Sequence, residues 1–419
     1  MKPRIDKLIL LLVCLLIFVG LVAVYSSTSI ISPEMAEKAR KGEAAVSQFA
    51  FLRKQLFTVV IGIIAMVAAY KVRLDLLRRY AIPLLLFSLV CLLLVFTPLG
   101  FSGGGARRWI RIWPSTFQPS ELVKLSMVIF LAWYMSLSRY NKDKIGSFLI
   151  PIGVMGGFQI VFLKQPDFGA AMSLGLLTLS LLFLSGTRLR YLLSLGLLAL
   201  PLIVKLAMEP YRWKRVVAFL DPWKDAQGSG FQLVQSFIAL GSGGLKGTGL
   251  GQGRQKLSFL PEAHTDFIFA LIGEELGFIG AFIVIALFSI LFFRGISIAK
   301  KTDDSFTYYL CFGISLMIAL QAVINFAVVT GMVPTKGLPL PFISYGGSSL
   351  MVSMTAVGLL LNASKNSTGL ISPDWRSEGI HPAPPQAGRE TAPRGMTPAA
   401  SSRWQKGYGY RKYGRTRSR

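Results

Sequence analysis

The chain has 419 residues, 53% of them hydrophobic, and a formal net charge of +25. Its apolar residues gather in runs of roughly twenty, the length a helix needs to cross a bilayer, which defines a polytopic helical membrane protein and excludes an ordinary soluble domain. The three cysteines, Cys14, Cys91 and Cys311, all fall inside such runs, so a disulfide framework is excluded, and no Cys/His spacing fits a structural zinc site.

In chain order, spans are predicted at 8–27, 55–71, 79–97, 120–137, 147–163, 168–186, 190–208, 266–293, 306–329 and 347–364, about ten in all. Lys2, Arg4 and Lys7 precede the first span, Lys71, Arg73, Arg78 and Arg79 follow the second, and Arg139, Lys142 and Lys144 follow the fourth. Arg188 and Arg190 follow the sixth, and Arg294, Lys300 and Lys301 the eighth. Basic short loops mark the cytoplasmic side, so both termini are expected there. The first run lacks a small-residue cleavage signal and leads into further spans, as a retained helix does.

The opposite face carries Arg107, Arg108, Arg111, Arg212, Lys214, Arg215, Lys246, Arg254, Lys256 and Lys336, charge that topology does not require. Either an anionic ligand visits that face or these residues touch outer-leaflet lipid phosphates. Gln118-Pro-Ser-Glu-Leu-Val-Lys124 leads into the fourth span. There Glu121 either favours the helix dipole or forms a buried pair with Lys124, one turn along the same face, near an anionic ligand. Gln165-Pro-Asp-Phe-Gly169 joins the fifth and sixth spans, and the segment from Pro334 to Ser349 enters the last, adding Asp167 and Ser344 to the candidate binding set.

A large extracytoplasmic loop, about 209–265, separates the seventh and eighth spans; loops this long are usually functional. Its middle, 230–240, has helical character suited to the interface or to re-entry. Gly241 to Gly253 holds many glycines but no Gly-Lys-Ser/Thr ending and no preceding strand, so a nucleotide fold is excluded. The segment is either a phosphate-holding loop with Lys246 or a hinge. Next come Glu262, His264, Asp266 and Glu274, at the mouth or inside of an apolar run. A carboxylate against hydrocarbon costs several kcal/mol unless it meets a cavity or a partner, which makes Asp266 a site candidate; the alternative is a helix-start carboxylate held by backbone N–H groups. His264 is either a base or a passive loop residue, and Glu274 and Glu275 suit helix ties.

From about Asn366 the chain is rich in Pro, Gly, Ser and Arg, and 366–419 is expected to be a disordered cytoplasmic tail contacting anionic lipid headgroups. It lacks the interleaved aromatic platforms of a nucleic-acid binder.

Pro261-Glu-Ala-His-Thr-Asp-Phe-Ile-Phe269, Gly273-Glu-Glu-Leu-Gly277, Gln118 to Lys124, Gln165 to Gly169 and Pro339-Leu-Pro-Phe-Ile-Ser-Tyr-Gly-Gly-Ser-Ser349 occur in one order along 1–365. In that pattern the chain resembles the shape, elongation, division and sporulation (SEDS) family of bacterial membrane proteins, its division-type branch more than its elongation-type one. The resemblance implies a ten-helix peptidoglycan glycosyltransferase that polymerises lipid II, the undecaprenyl-pyrophosphate-linked disaccharide-pentapeptide, at the outer face of the cytoplasmic membrane at the septum. It makes Asp266 catalytic and places the Arg of Gly105-Ala-Arg-Arg-Trp109 and Lys124 on the substrate's pyrophosphate. Its implied partners are a class B penicillin-binding transpeptidase and other divisome proteins.

The residues support that chemistry on their own terms. Asp266 can take the acceptor hydroxyl's proton, and Arg107, Lys124, Lys246, Arg212 and Lys214 can clamp the departing diphosphate. One carboxylate fits single, inverting attack. A divalent cation, Mg or Mn, is an admissible supplement, though no ligand cluster assigns it. Two rivals stay open: a lipid II flippase and a non-catalytic divisome scaffold.

Overall fold

The computed structural model describes residues 6–28, 50–103, 106–112, 115–255 and 264–365, all within the unit Met1–Ile371. Glu262 and the basic tail lie outside the described residues. The chain runs α1 (Lys7–Thr28), α2 (Ala50–Lys71), a short α3 (Leu74–Arg79) and α4 (Ala81–Leu94). A sheet follows, β1 (Gly100–Gly103), β2 (Ala106–Ile112) and β3 (Ser115–Phe117), then α5 (Pro119–Met135), α6 (Ile145–Lys164), α7 (Phe168–Leu184) and α8 (Leu189–Ala207). After α9 (Pro210–Leu220), a single 3-10 turn (Pro222–Asp225) and α10 (Phe231–Gly243) come α11 (Ile268–Lys300), α12 (Ser305–Val329) and α13 (Gly347–Lys365).

Each expected span falls on a helix: α1, α2, α4 to α8 and α11 to α13. Among the described residues, seven of these (α1, α2, α6, α8, α11, α12 and α13) are long and apolar enough to cross a membrane; α4 and α7 are apolar but shorter. Large apolar side chains point outward, Leu197 at 74% and Leu198 at 79% exposed, with Phe293 and Ile64 similar. In water that surface would be a liability; against lipid it is the expected exterior. The protein is a multi-pass membrane protein.

Where one helix must approach another closely, glycine permits it. A methyl on Gly358 of α13 would sit 2.3 Å from the Met66 carbonyl oxygen of α2. At the end of that pair, Asn362 donates to the Ala69 carbonyl at 3.2 Å and to that of Val72, while the Lys365 ammonium bonds the Tyr70 carbonyl at 2.7 Å. These bonds cap α2's last carbonyls, which a helix cannot satisfy by itself. On the face carrying the expected cytoplasmic loops, Arg294 pairs with Asp6 at 2.8 Å, Arg188 with Asp143 at 2.6 Å and Arg78 with Asp304 at 3.4 Å. Segments assigned to one side by charge are thus physically paired.

Two features go beyond the sequence expectation. The arginine-bearing loop is an antiparallel sheet in the order β1-β2-β3, with Phe101 opposite Trp109 and Ile110 opposite Phe117. Residues 209–255 of the long outer segment are folded, and their glycine-rich part straps a break in α11. Gly277 takes φ 67° and ψ −166°, a conformation essentially restricted to glycine. The amides freed there, Phe278 and Ile279, donate to the carbonyls of Gly244 and Leu245 at 2.9 and 3.2 Å. In return, Thr248 and Gly249 N–H donate to the carbonyls of Glu274 and Glu275 at 2.9 and 3.1 Å. The Glu274 carboxylate accepts from the Arg254 and Gln255 amides at 2.6 and 3.2 Å. Backbone groups of a helix break at membrane depth must find protein partners, and this loop supplies them. The N–H groups of Thr248, Gly249, Arg254 and Gln255 are therefore turned toward α11.

Candidate active site

Asp266 begins the turn that leads into α11, at the end of the molecule opposite the paired basic loops. Its carboxylate faces the segment linking α12 to α13: a methyl on Gly337 would lie 2.8 Å from Asp266 Oδ2. Only glycine lets that segment come so close. Its backbone carbonyl accepts from Asn325 Nδ2 of α12 at 2.8 Å, and the same amide donates to the Leu338 carbonyl at 2.8 Å.

The α12–α13 segment is fastened at several points. The Ser344 hydroxyl donates to the Thr265 carbonyl at 2.5 Å and accepts from the Leu340 amide at 2.7 Å. Tyr345 N–H donates to the His264 carbonyl at 2.9 Å. The His264 ring sits 5.3 Å from Phe51 and 5.6 Å from Tyr345, with Phe51 and Tyr345 5.4 Å apart, so three rings from α2 and both site strands form one group. Phe342 holds φ 65°, unusual for a side-chain-bearing residue, and its carbonyl and Ile343 press on Gly20 of α1.

Lys336, next to Gly337, reaches the start of α7: its ammonium lies 2.6 Å from Met172 Sδ and 5.1 Å from the Phe168 ring centre. Burial pulls its pKa down to about 8. Asp167 caps α7 by accepting from the Ala170 amide at 3.1 Å, and Arg108 of β2 lies 3.9 Å from the same oxygen while bonding the Pro166 carbonyl. The second oxygen of Asp167 is buried without a hydrogen-bond partner among the described residues. Arg215 of α9 donates to the Thr335 carbonyl at 3.3 Å, so the long outer segment also touches this loop.

Asp266, His264, Ser344, Lys336 and the Asp167–Arg108 pair are thus gathered around the α12–α13 segment. Other sequence candidates lie elsewhere. Arg107 spends its guanidinium on the Thr97 carbonyl at 2.5 Å and the Gly100 carbonyl at 3.3 Å, closing the sheet onto the end of α4. Lys124 and Glu121 form a 2.8 Å pair, both 3% exposed, and Lys124 also bonds Gln321 Oε1 at 2.7 Å. Through Gln321 Nε2, 3.0 Å from the Pro339 carbonyl and 3.2 Å from Ser349 Oγ, that pair supports the site segment from beneath. Lys214 and Lys246 are exposed on α9 and the glycine-rich strap; Arg212 belongs to α9, with its side chain outside the described part. Glu274 ties the strap to α11, and Glu275 accepts from Ser26 of α1 at 2.6 and 2.7 Å.

Sequence reading counted Lys336 only as one of ten outer cations and passed over Asn325 and Gln321. The signal for these two was present: an amide inside an apolar span is seldom without a partner. No group of three His, Cys, Asp or Glu side chains that could hold a metal ion occurs among the described residues.

Comparison with known proteins agrees with this architecture. A model of the cell cycle protein family of FtsW, RodA and SpoVE matches residues 6–369. A probable peptidoglycan glycosyltransferase FtsW of Geobacter sp. (strain M18) is 43% identical over 368 residues, 87% of this chain and 98% of the relative. A chain of a solved peptidoglycan synthase complex that coordinates polymerization and crosslinking superposes with a TM-score of 0.70 at 29% identity, covering 87% of this chain and 99% of its own. The rod shape determining protein RodA of Thermus thermophilus gives 0.63 at 26% identity, covering 87% and 98%. A polytopic fold with an acid-bearing loop cluster at one end defines the class, and the chain belongs to the FtsW–RodA–SpoVE cell cycle protein family.

Proposed function

We propose that this chain polymerises lipid II at the outer face of the bacterial cytoplasmic membrane, at the division septum, by inverting glycosyl transfer with Asp266 as general base. It is a peptidoglycan glycosyltransferase of cell-wall synthesis and cell division, of the FtsW type. The observation that carries the mechanism is the Asp266 carboxylate set against Gly337, directly after the half-buried Lys336.

In the step proposed, Asp266 takes the proton of the acceptor's 4-hydroxyl, the freed oxygen bonds the donor's anomeric carbon, and the bond from that carbon to the diphosphate breaks, its electron pair leaving with the phosphate oxygen. Lys336 and Arg108, beside α7, stabilise that departing charge. Arg107 and Lys124 act through the structure they hold. A class B penicillin-binding transpeptidase, which would cross-link the product, is the partner of choice, with other divisome proteins around it.

The test supplies purified protein and its transpeptidase with labelled lipid II. Wild-type protein forms polymer, while Asp266→Asn, equally abundant and monodisperse, forms none above background. Polymer from Asp266→Asn at the wild-type rate removes the base from the mechanism. Movement of labelled lipid across vesicles without any polymer turns the assignment toward a flippase.

A further inference from the structure

We propose that Asn325 is a positioning residue for glycosyl transfer: its side-chain amide fixes Asp266 relative to the Lys336–Leu338 segment, and so the base relative to the Lys336 cation. The proposal rests on Asp266 being the base.

Asn325 lies in α12 and is 1% exposed. Both protons of its Nδ2 are spent at 2.8 Å, one on the Asp266 carbonyl and one on the Leu338 carbonyl. Two acceptors leave no ambiguity about which end of the amide faces them, since the oxygen could donate to neither. Oδ1 is buried with no hydrogen-bond partner among the described residues. An apolar residue here would leave the Asp266 and Leu338 carbonyls without this donor, so the amide is what ties the two segments together.

The bridge is short and stiff. On one side it holds the backbone of the residue bearing the base. On the other it holds the carbonyl next to Gly337, whose Cα faces Asp266 Oδ2 so closely that a methyl would stand 2.8 Å away. One turn earlier on the same helix, Gln321 holds the adjacent Pro339 carbonyl at 3.0 Å while accepting from Lys124 at 2.7 Å. Two successive carbonyls of the site segment thus hang from two successive turns of α12, and the Glu121–Lys124 pair steadies the lower one. Asn325 touches no substrate in this arrangement. Its removal should loosen alignment without removing a binding contact, and a misplacement near 1 Å costs on the order of a hundredfold in rate.

The experiment measures initial polymerisation rates of the full chain with its transpeptidase partner, across lipid II concentration and pH, for wild type, Asn325→Ala, Asn325→Asp and Gly337→Ala. Asn325→Ala should lower kcat by about ten- to a hundredfold with KM changed less than about threefold. Asn325→Asp keeps the shape but faces two carbonyls with a carboxylate that must be protonated to donate even once. Its activity per folded molecule, relative to wild type, should rise as pH falls, whereas a purely structural role moves only the folded fraction. Gly337→Ala leaves the amide bridge intact and crowds Asp266 from the other side, so it should show the same kcat-dominated loss even if the Asn325 variants fold poorly.

A raised KM at unchanged kcat, or activity tracking only the folded fraction with the wild-type pH profile, overturns the proposal. Asp266→Asn in the same assay separates the two claims. If it is inactive while the Asn325 and Gly337 variants behave as wild type, only the positioning role falls; if it is active, the base and the positioning role fall together.

Discussion

Replacing Gly277 by alanine tests whether the strapped break in α11 holds the site end of that helix in place. At φ 67° and ψ −166° a residue with a side chain is strained by about 1–3 kcal/mol. The new methyl would also stand 2.3 Å from the Gly247 nitrogen and 2.6 Å from the Leu245 oxygen, both backbone atoms that cannot swing away. Relief requires the strap to move off, loosening bonds now at 2.9, 3.2, 2.9 and 3.1 Å to Gly244, Leu245, Glu274 and Glu275, each worth about 1 kcal/mol net. The expected loss is about 3 kcal/mol or more, equivalent to roughly 3–4 °C in Tm for a chain of this size. Melting in detergent followed by size-exclusion chromatography reads it directly. Because the half-helix before Gly277 carries Asp266 at its head, polymerisation should fall as well, by tenfold or more. A variant melting within about 2 °C of wild type and polymerising normally would show that the strap is incidental.

Burial lowers the Lys336 pKa to about 8, so in the empty site its ammonium is half deprotonated near pH 8 and about nine-tenths deprotonated a unit higher. If its charge stabilises the departing diphosphate, the rate declines as pH rises through about 8, and Lys336→Arg, which keeps its charge, shifts that decline upward by about one unit or more. Identical alkaline limbs in pH–rate profiles of the two proteins would refute the role. Gly20→Ala should place a methyl 2.7 Å from Ile343 Cα and 2.8 Å from two backbone oxygens beneath the site segment. The expected result is a loss of about 1–3 kcal/mol in thermal melting together with slower polymerisation, since the Ser344 and Tyr345 anchors ride on that turn.

The helical spans were legible because lipid leaves the backbone no alternative, and apolar runs therefore map onto helices almost one for one. Motif order brought Asp266, His264, Asp167 and Ser344 to one end correctly in kind, since loops from alternate connections must emerge on the same side. Less could be read where a role depends on what a residue meets. Lys124 reads as a cation awaiting a ligand until Gln321, 197 positions away, is seen to accept its proton. The glycine-rich stretch reads as either a phosphate-holding loop or a hinge; its Thr248 and Gly249 amides instead meet carbonyls of Glu274 and Glu275 that a helix would ordinarily satisfy by itself. Short strands flanked by glycines, as in β1 and β2, carry too few alternating side chains to announce a sheet. Asn325 was hidden by its apolar neighbours, although its amide is the residue's whole significance.

α1 is latched by residues made much later in the chain. Ser26 meets Glu275 and Asp6 meets Arg294, partners synthesised 249 and 288 positions later on α11. α1, the most apolar of the seven candidate crossings, packs on α2 as well, so it can stand in lipid before its two polar latches, one at each end, arrive with α11.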